Sequence, residues 1–452
     1  MSDHGTDRPD DSGDDTPPNP FAGTPFEALF SQLGFTQPGT PGSSGPAGFL
    51  PNGPSGGQVP DLNALMAQVQ RMFAPHEGTV DASVTLEVAR HTTAAAGPDP
   101  STTPSQQAAV ADAVQLAEMW LDHATDLPRG ATTSAAWSRA EWIEHTAGTW
   151  HTLSEPVAQH VVDAMSQAMP DEIKTMAGPL IGMLSQAGSA MFAQQLGRGL
   201  GELAGEVLSS TDIGLPLGPT GVAAVLPANI EAFGDGLELS STDVLLYVVL
   251  RECAHHRLFA SAPWLKPALV AAVEEYGRGT KIDLEAVERR AAEFDPSRPQ
   301  EIVDALQNGL FDPEPTPEQR HALDRLEHLL ALVEGWVDEV VTQATHDRMP
   351  AATALAETMR RRRASGGPAE QTFASLVGLQ LRPRRLRDAV NLWAAVRDRQ
   401  GAEVRDRFWQ HPDVLPTPAD LDDPLGFAEP STDAEGDDAF DAELRRLLDG
   451  DE

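Results

Sequence analysis

Five consecutive residues, Arg251-Glu252-Cys253-Ala254-His255, carry the clearest chemical pattern in the sequence. In the signature His-Glu-x-x-His, two histidines four residues apart share one helical face and bind one zinc ion, while the glutamate activates a metal-bound water. Here Glu252 fills the general-base position and His255 fills the second ligand position. Arg251 stands at the first ligand position, and its guanidinium has no lone pair to offer a metal. The pattern therefore keeps the base of a hydrolytic site but lacks one ligand.

The residues around this pattern predict a buried helix. Residues 244–250 are all apolar, and five ionisable side chains follow them: Arg251, Glu252, His255, His256 and Arg257. Burying such a cluster is costly unless its members are paired with one another or bound to a metal. A metal site and a structural salt-bridge cluster would both meet that condition.

Capping patterns place this helix and a second long one. Ser240 or Ser241 caps a helix that runs to about Ala260 and carries the pattern above. Residues 316–319 supply a cap, a proline at the first helical position and a glutamine at the third. This combination begins a helix that runs to about Thr345.

Elsewhere the pattern of apolar residues also favours helices over sheet. The one convincing strand is residues 221–226, ended by Pro227. Glycine and alanine recur between residues 177 and 205, where they would let helices approach closely. Four tryptophans indicate a core: Trp120, Trp137, Trp142 and Trp150. We therefore predict one mainly helical domain over residues 61–411, with a small β element.

Composition excludes some classes of partner. The chain has 452 residues, and its 68 acidic and 32 basic side chains leave a formal charge of −36. This argues against a nucleic-acid partner, because phosphate binding needs a clustered basic surface. The single cysteine, Cys253, excludes an internal disulfide and fits a reducing compartment. The polar start predicts no secretory signal, and the uncharged residues 175–197 would span a membrane poorly. We therefore expect a cytoplasmic protein without a membrane span.

The acidity is concentrated at both ends. Residues 1–60 hold seven acidic side chains and one basic, and residues 412–452 hold fourteen acidic and two basic. Both ends are rich in Pro, Gly, Ser or Asp and bury too little apolar surface to offset the entropy of ordering. We predict two disordered acidic tails. Within the second, residues 439–448 have helical spacing and form either a fraying terminal helix or a docking helix.

The order of several segments resembles the zincin-like metallopeptidase family. The segments are residues 139–142, 207–217, 226–230, 251–259, 262–265 and 332–337. They span about residues 135–345, which is most of the predicted domain. The resemblance implies a zincin-like α+β fold and zinc-dependent hydrolysis of a peptide or protein substrate.

The resemblance also implies roles for single residues. Members with an intact signature have a later helix with a Glu-Gly pair, and Glu334 matches the glutamate of that pair, a third metal ligand. Glu252 matches the catalytic base, and His255 matches the second histidine. Arg251 departs from the pattern in the manner of an arginine-containing branch of the family, which puts both zinc binding and hydrolysis in question.

Two interpretations of the site stay open. In the first, zinc is bound by His255 and Glu334, with His256 as an accessory ligand, although adjacent helical residues diverge by about 100°. In the second, no metal binds and Arg251 supplies the positive charge, reaching toward Glu334 and Glu252. The chain would then be a pseudoprotease that binds a peptide or protein without cleaving it.

Two further features concern partners. A substrate-like cleft would lie along the strand at residues 221–226, where an extended chain could pair with a free edge. The arginine run at residues 360–363 predicts a solvated helical face. Binding of an acidic tail of the same chain, or of an anionic partner, is the alternative for that run.

Overall fold

Helices account for 70% of the residues that the computed structural model describes, which are 78–167, 178–278, 316–364 and 385–429. This confirms the prediction of a mainly helical chain with a small β element. The predictions for residues 1–77 and 430–452, including both acidic tails and the short helix at 439–448, lie outside the described residues.

The helices are numbered in chain order. They are α1 Ala82–Ala96, α2 Pro104–Leu121, α3 Arg139–Gln167, α4 Gly178–Ala204, α5 Pro227–Gly234, α6 Ser241–Ser261, α7 Leu265–Arg278, α8 Pro317–Thr345, α9 Ala352–Ala364, α10 Leu386–Gln400, α11 Ala402–Arg407 and α12 Pro424–Phe427. Two short 3₁₀ helices, Phe408–Gln410 and Pro412–Val414, lie between α11 and α12. Within the described ranges, no helix has the length and hydropathy needed to cross a bilayer.

A two-stranded parallel sheet lies beside the helix with the pattern. Strand β2, Val222–Val225, matches the predicted strand, and it pairs with β1, Thr133–Ala136, which the sequence did not predict. The second edge of β2 is also occupied. Ser209 forms an antiparallel bridge with Val225, and the Ser210 N–H donates to the Ala224 carbonyl at 2.9 Å. The prediction of a free edge for peptide pairing is therefore wrong.

Helices α6 and α8 begin where the capping residues predict. Ser240 is the N-cap of α6. At α8, the Gln319 N–H donates to Thr316 Oγ1, and the Thr316 N–H donates to Gln319 Oε1, so both bonds of a capping box are present. The apolar stretch of α6 from Val244 is buried, and α8 is buried over almost all of its C-terminal half. Two buried helices thus bring their ionisable residues together in the core.

Small residues permit close helix crossings, as predicted for residues 177–205. A Cβ on Gly197 would lie 2.7 Å from Val88 Cβ, and one on Gly201 would lie 2.6 Å from Thr92 Cβ, so α4 and α1 touch through their backbones. Gly335 does the same on α8, where a Cβ would lie 2.6 Å from Ala389 Cβ of α10. This explains the glycine of the Glu-Gly pair by packing alone.

The tryptophans predicted as core residues are buried, with Trp120 half-buried: Trp137, Trp142 and Trp150 are 5%, 0% and 1% exposed. The folded part also continues past residue 411. Leu421 and Ala428 are buried, although composition assigned both to the acidic tail. We therefore propose that the domain extends to about residue 429.

Candidate functional site

Helix α6 directs its ionisable residues to three different neighbours, because successive helical residues are rotated by about 100°. Arg251 and His255, four residues apart, face α8. Glu252 and His256 bond each other on the side of β2. Arg257 faces α2, where its guanidinium bonds Glu118 and Asp122. The residues of the sequence pattern therefore do not converge on one point.

Arg251 forms a buried ion pair with the predicted third metal ligand. Its Nη2 donates to Glu334 Oε2 at 2.6 Å, and its Nη1 donates to Asp338 Oδ1 at 3.3 Å. Burial opposes a charged arginine, but the nearby Glu334 carboxylate outweighs it and raises the pKa of Arg251 above its ordinary value. The predicted pairing with Glu334 is present. The other guanidinium nitrogen, Nη1, bonds Asp338 and not Glu252. The predicted contact between Arg251 and Glu252 is therefore wrong.

His255 is held between two acceptors. Its Nδ1 lies 2.8 Å from the Arg251 carbonyl oxygen, and its Nε2 lies 3.0 Å from Glu334 Oε1. Both ring nitrogens are therefore engaged in hydrogen bonds within the protein. In this arrangement neither ring nitrogen of His255 is free for a metal.

A second arginine reaches the same carboxylate. Arg363, near the end of α9, donates from Nη1 to Glu334 Oε2 and from Nη2 to the Asp212 carbonyl at 2.9 Å. Burial disfavours the charged form of Glu334, yet Arg363, His255 and Arg251 together lower the pKa of Glu334 far below its ordinary value. The sequence analysis missed Arg363, because no spacing rule connects α9 to Glu334.

The neighbouring arginines of α9 are also paired. Arg360 contacts Asp338 Oδ2 at 3.2 Å, and Arg362 contacts Asp212 Oδ2 at 2.9 Å. Only Arg361 matches the predicted solvated face, since its side chain is 78% exposed. That prediction is therefore wrong for three of the four arginines. Four consecutive arginines in an acidic chain were the available signal for a buried acidic counterpart.

Glu252 is enclosed by hydrogen-bond donors. Its Oε1 accepts from the Ser210 hydroxyl, from the Ala224 N–H at 3.2 Å and from His256 Nε2 at 3.2 Å. Its Oε2 accepts from the Thr211 hydroxyl and from the Thr211 N–H at 3.1 Å. Burial favours the neutral acid, but His256 and these donors lower the pKa of Glu252 to about 2. A carboxylate so stabilised is a weak base.

The segments of the family resemblance meet around this site. Asn229 accepts from Arg139 Nε at 2.8 Å, and its amide donates to the Ala204 and Val207 carbonyls at 2.9 and 2.7 Å. Gly214 has φ +79°, and a Cβ there would lie 3.0 Å from Glu334 Oε1. The loop after α4 is therefore built to lie against the Glu334 carboxylate.

The residues as arranged do not fit a zinc ion. Among the residues that the structure describes, no group of three or more His, Cys, Asp or Glu side chains could hold a metal. Both oxygens of Glu334 are already hydrogen-bonded, to Arg251 and to His255, and His256 bonds Glu252 rather than joining His255. Cys253 is buried and forms no disulfide, and burial raises the pKa of its thiol well above the ordinary value, as expected for a structural thiol.

Comparisons with known proteins agree on the fold. A sequence model described as zincin-like metallopeptidase matches residues 80–428. The crystal structure of a candidate hydrolase with a novel fold from Chloroflexus aurantiacus is similar to this chain, with a TM-score of 0.55 and 21% identity, over 77% of this chain and 97% of that one. At this identity the likeness concerns the fold alone. No curated protein matches the chain significantly.

Proposed function

The chain belongs to the zincin-like metallopeptidase family, and from this premise we propose that it is a metal-free member that binds a peptide or protein without hydrolysing it. The observation that carries the proposal is the bonding of Glu334. One of its oxygens accepts from Arg251 and Arg363, and the other accepts from His255. The position implied to be a metal ligand thus serves as the acceptor of an arginine cluster.

Electrostatics favours this interpretation over zinc binding. Two unit charges 4 Å apart interact by about 4 kcal/mol at an effective dielectric of about 20, so a divalent ion beside one guanidinium costs on the order of 8 kcal/mol. A complete structural zinc site contributes about 10–16 kcal/mol. Repulsion from Arg251 and Arg363 together would therefore offset the whole free energy of zinc binding. Arg251 also replaces one of the zinc ligands.

The alternative is a zinc-dependent hydrolase in which Glu252 is the general base. Its five hydrogen bonds and its low pKa weigh against this role, because a general base works best with a pKa near the operating pH. They support a structural role instead, in which Glu252 ties the segment 208–211 and β2 to α6.

Metal content of the purified full-length chain is the first test. We expect substoichiometric zinc by plasma mass spectrometry after purification in zinc-supplemented buffer. Near-stoichiometric zinc that is lost in a His255→Ala variant would overturn the proposal.

Restoring the signature is the second half of that test. We expect the double variant Arg251→His, Arg363→Gln to gain zinc binding, since it adds a ligand and removes both guanidiniums from Glu334. The matched control is Arg251→His, Arg361→Gln, which also loses two arginines but leaves Arg363 in place. Calorimetric titration should give at least about tenfold tighter zinc binding for the first variant, from the charge removed. Equal affinities would show that Arg363 plays no part.

A further inference from the structure

A groove lies beside the C-terminal half of α6, where His256 and Phe259 line it. Its volume is about 620 Å³, which is in the usual range of ligand-binding pockets. One wall is the loop at residues 216–221, the other is formed by the end of α6 and the start of α7, and Ser210 and Thr211 form part of its lining. Two of the residues that bond Glu252 therefore also line this groove.

The walls are apolar and rigid. Four of the lining residues are prolines, two on each side: Pro216, Pro219, Pro263 and Pro267. Phe259 and Val270 add apolar surface. Because proline fixes its own φ angle, such walls lose little entropy when a ligand binds.

Three polar groups in the groove are available to a ligand. Lys266 and Glu274 lie eight residues apart on α7, about 12 Å along the helix axis. Within the described ranges, neither side chain has an ion pair or hydrogen bond. His256 also lines the groove, and Glu252 engages its Nε2, so Nδ1 is the ring nitrogen left for a ligand. A cation and an anion at this separation match a ligand with opposite charges at its two ends.

We propose that this groove binds an extended peptide segment of about five residues, with an acidic residue against Lys266, a basic residue against Glu274 and apolar residues between them. An extended chain advances about 3.3 Å per residue, so four steps cover the distance between the two charges. His256 Nδ1 accepts a backbone N–H of the bound segment. This inference rests on the proposed function only in that the peptide is bound and not cleaved.

The test uses two synthetic pentapeptides with acetylated and amidated ends. Both contain Ala-Leu-Val in the middle. The first begins with lysine and ends with aspartate, and the second begins with aspartate and ends with lysine. Binding of the unlabelled peptides to the full-length chain is followed by isothermal titration calorimetry. We expect one orientation to bind at least fivefold more tightly than the other. Absence of binding by both peptides at millimolar concentration would overturn the proposal, and so would equal affinity.

A charge-swapped variant gives a sharper result. Lys266→Glu combined with Glu274→Lys keeps the net charge of the chain and exchanges the two ends of the groove. We expect the preferred peptide orientation to reverse. An unchanged preference would place the binding elsewhere and overturn the assignment. Mass spectrometry of the recovered peptides tests the proposed function separately, because cleavage would contradict binding without hydrolysis while leaving the groove assignment intact.

Discussion

At the scale of single residues, the site is defined by the Glu334 carboxylate, which forms ion pairs with two buried or nearly buried arginines. Glu334 accepts from Arg251, Arg363 and His255, and all these groups are buried or nearly so. Removing one member of a buried ion pair typically costs about 3–5 kcal/mol, because the remaining charge stays desolvated. The ion pairs of Arg251 with Glu334 and Asp338 therefore connect α6 to α8 through buried contacts that are costly to break.

Glu252, which is also buried, leads to a prediction about pH. Its pKa in the folded chain, about 2, lies below its ordinary value of 4.5. The carboxylate of Glu252 therefore stabilises the fold fully above about pH 4.5, and this contribution is lost as the pH falls toward 2. The shift corresponds to about 3 kcal/mol. We expect Glu252→Gln to lower the free energy of unfolding by at least that amount at pH 7, with the deficit shrinking toward pH 2.

Urea unfolding at a series of pH values measures this difference. The control is Glu87→Gln, an exposed position on α1, where we expect no change of the unfolding midpoint. A deficit for Glu252→Gln that is the same at every pH would mean that the ionised carboxylate is not what stabilises this region.

Sequence reasoning anticipated half of the arginine cluster. The pairing of Arg251 with Glu334 was predictable, since a buried arginine needs a carboxylate and the family pattern supplied one. Asp338 was also within reach of such reasoning, because it lies one helical turn beyond Glu334 on α8. The arginine run at residues 360–363 indicated some acidic counterpart, but not that Arg363 reaches Glu334, because the contact between α9 and Glu334 depends on tertiary packing.

At the scale of elements, α8 is held in place on two sides. On one side of α8, Glu334 and Asp338 contact arginines of α6 and α9. On the other side, the lack of a side chain at Gly335 lets α10 pack directly against the α8 backbone. Trp393 of α10 donates from its ring nitrogen to the Leu332 carbonyl at 3.0 Å, which fixes the crossing next to the Glu-Gly pair. The position of Glu334 therefore depends on a glycine that makes no contact with the cluster itself.

This dependence predicts an unusual glycine-to-alanine effect. In an exposed helix, such a change stabilises by up to about 1 kcal/mol through helix propensity. At Gly335 the new methyl group would meet Ala389, so we expect a net loss of about 1–3 kcal/mol from overpacking. Gly148→Ala on α3 is the matched control, since nothing lies within 4 Å of the added carbon, and it should stabilise slightly. The midpoint of thermal unfolding should fall for Gly335→Ala and rise slightly for Gly148→Ala. A higher midpoint for Gly335→Ala would contradict the close crossing of α8 and α10.

Helix boundaries were more predictable than strand pairing. The start of α8 follows from its capping box, which a short stretch of sequence contains, and α6 begins after Ser240, one of the two predicted caps. Strand β1 has only four residues, Thr-Ser-Ala-Ala, with no run of β-branched or aromatic residues to indicate it. Its partner is 89 residues away, so nothing local could place it. The same non-local packing covers the second edge of β2, which the sequence analysis took to be free.

At the scale of the whole molecule, α11 near the C-terminus contributes buried polar contacts to the core. Arg405 is fully buried, where it contacts Glu339 of α8 and Asp406 and donates to the Ala124 carbonyl at 2.7 Å. Trp336 of α8 donates to Asp406 Oδ1 at 2.9 Å. This hydrogen-bond network joins α8, α11 and the turn that follows α2.

We propose that the folded unit ends later than composition predicts. Residues 412–429 are acidic and rich in proline, which favours disorder when composition alone is considered. Their order comes from a few specific contacts instead. Phe427 packs on Phe408 with ring centroids 5.1 Å apart, and the Pro416 carbonyl accepts from His328 Nε2 at 2.8 Å. Such contacts depend on which part of the folded domain the C-terminal segment packs against. Local amino-acid composition gives no information about that packing.

Two truncations test this boundary. Removal of residues 412–452 strips away the buried Leu421, Ala428 and the aromatic partner of Phe408, and we expect it to cost about 3–5 kcal/mol of unfolding free energy. Removal of residues 430–452 alone leaves those contacts in place, so we expect the denaturant midpoint to stay where it is in the full chain. Equal midpoints for both truncations would restore the boundary at residue 411. A large loss from the shorter truncation would mean that the acidic residues beyond 429 belong to the folded unit.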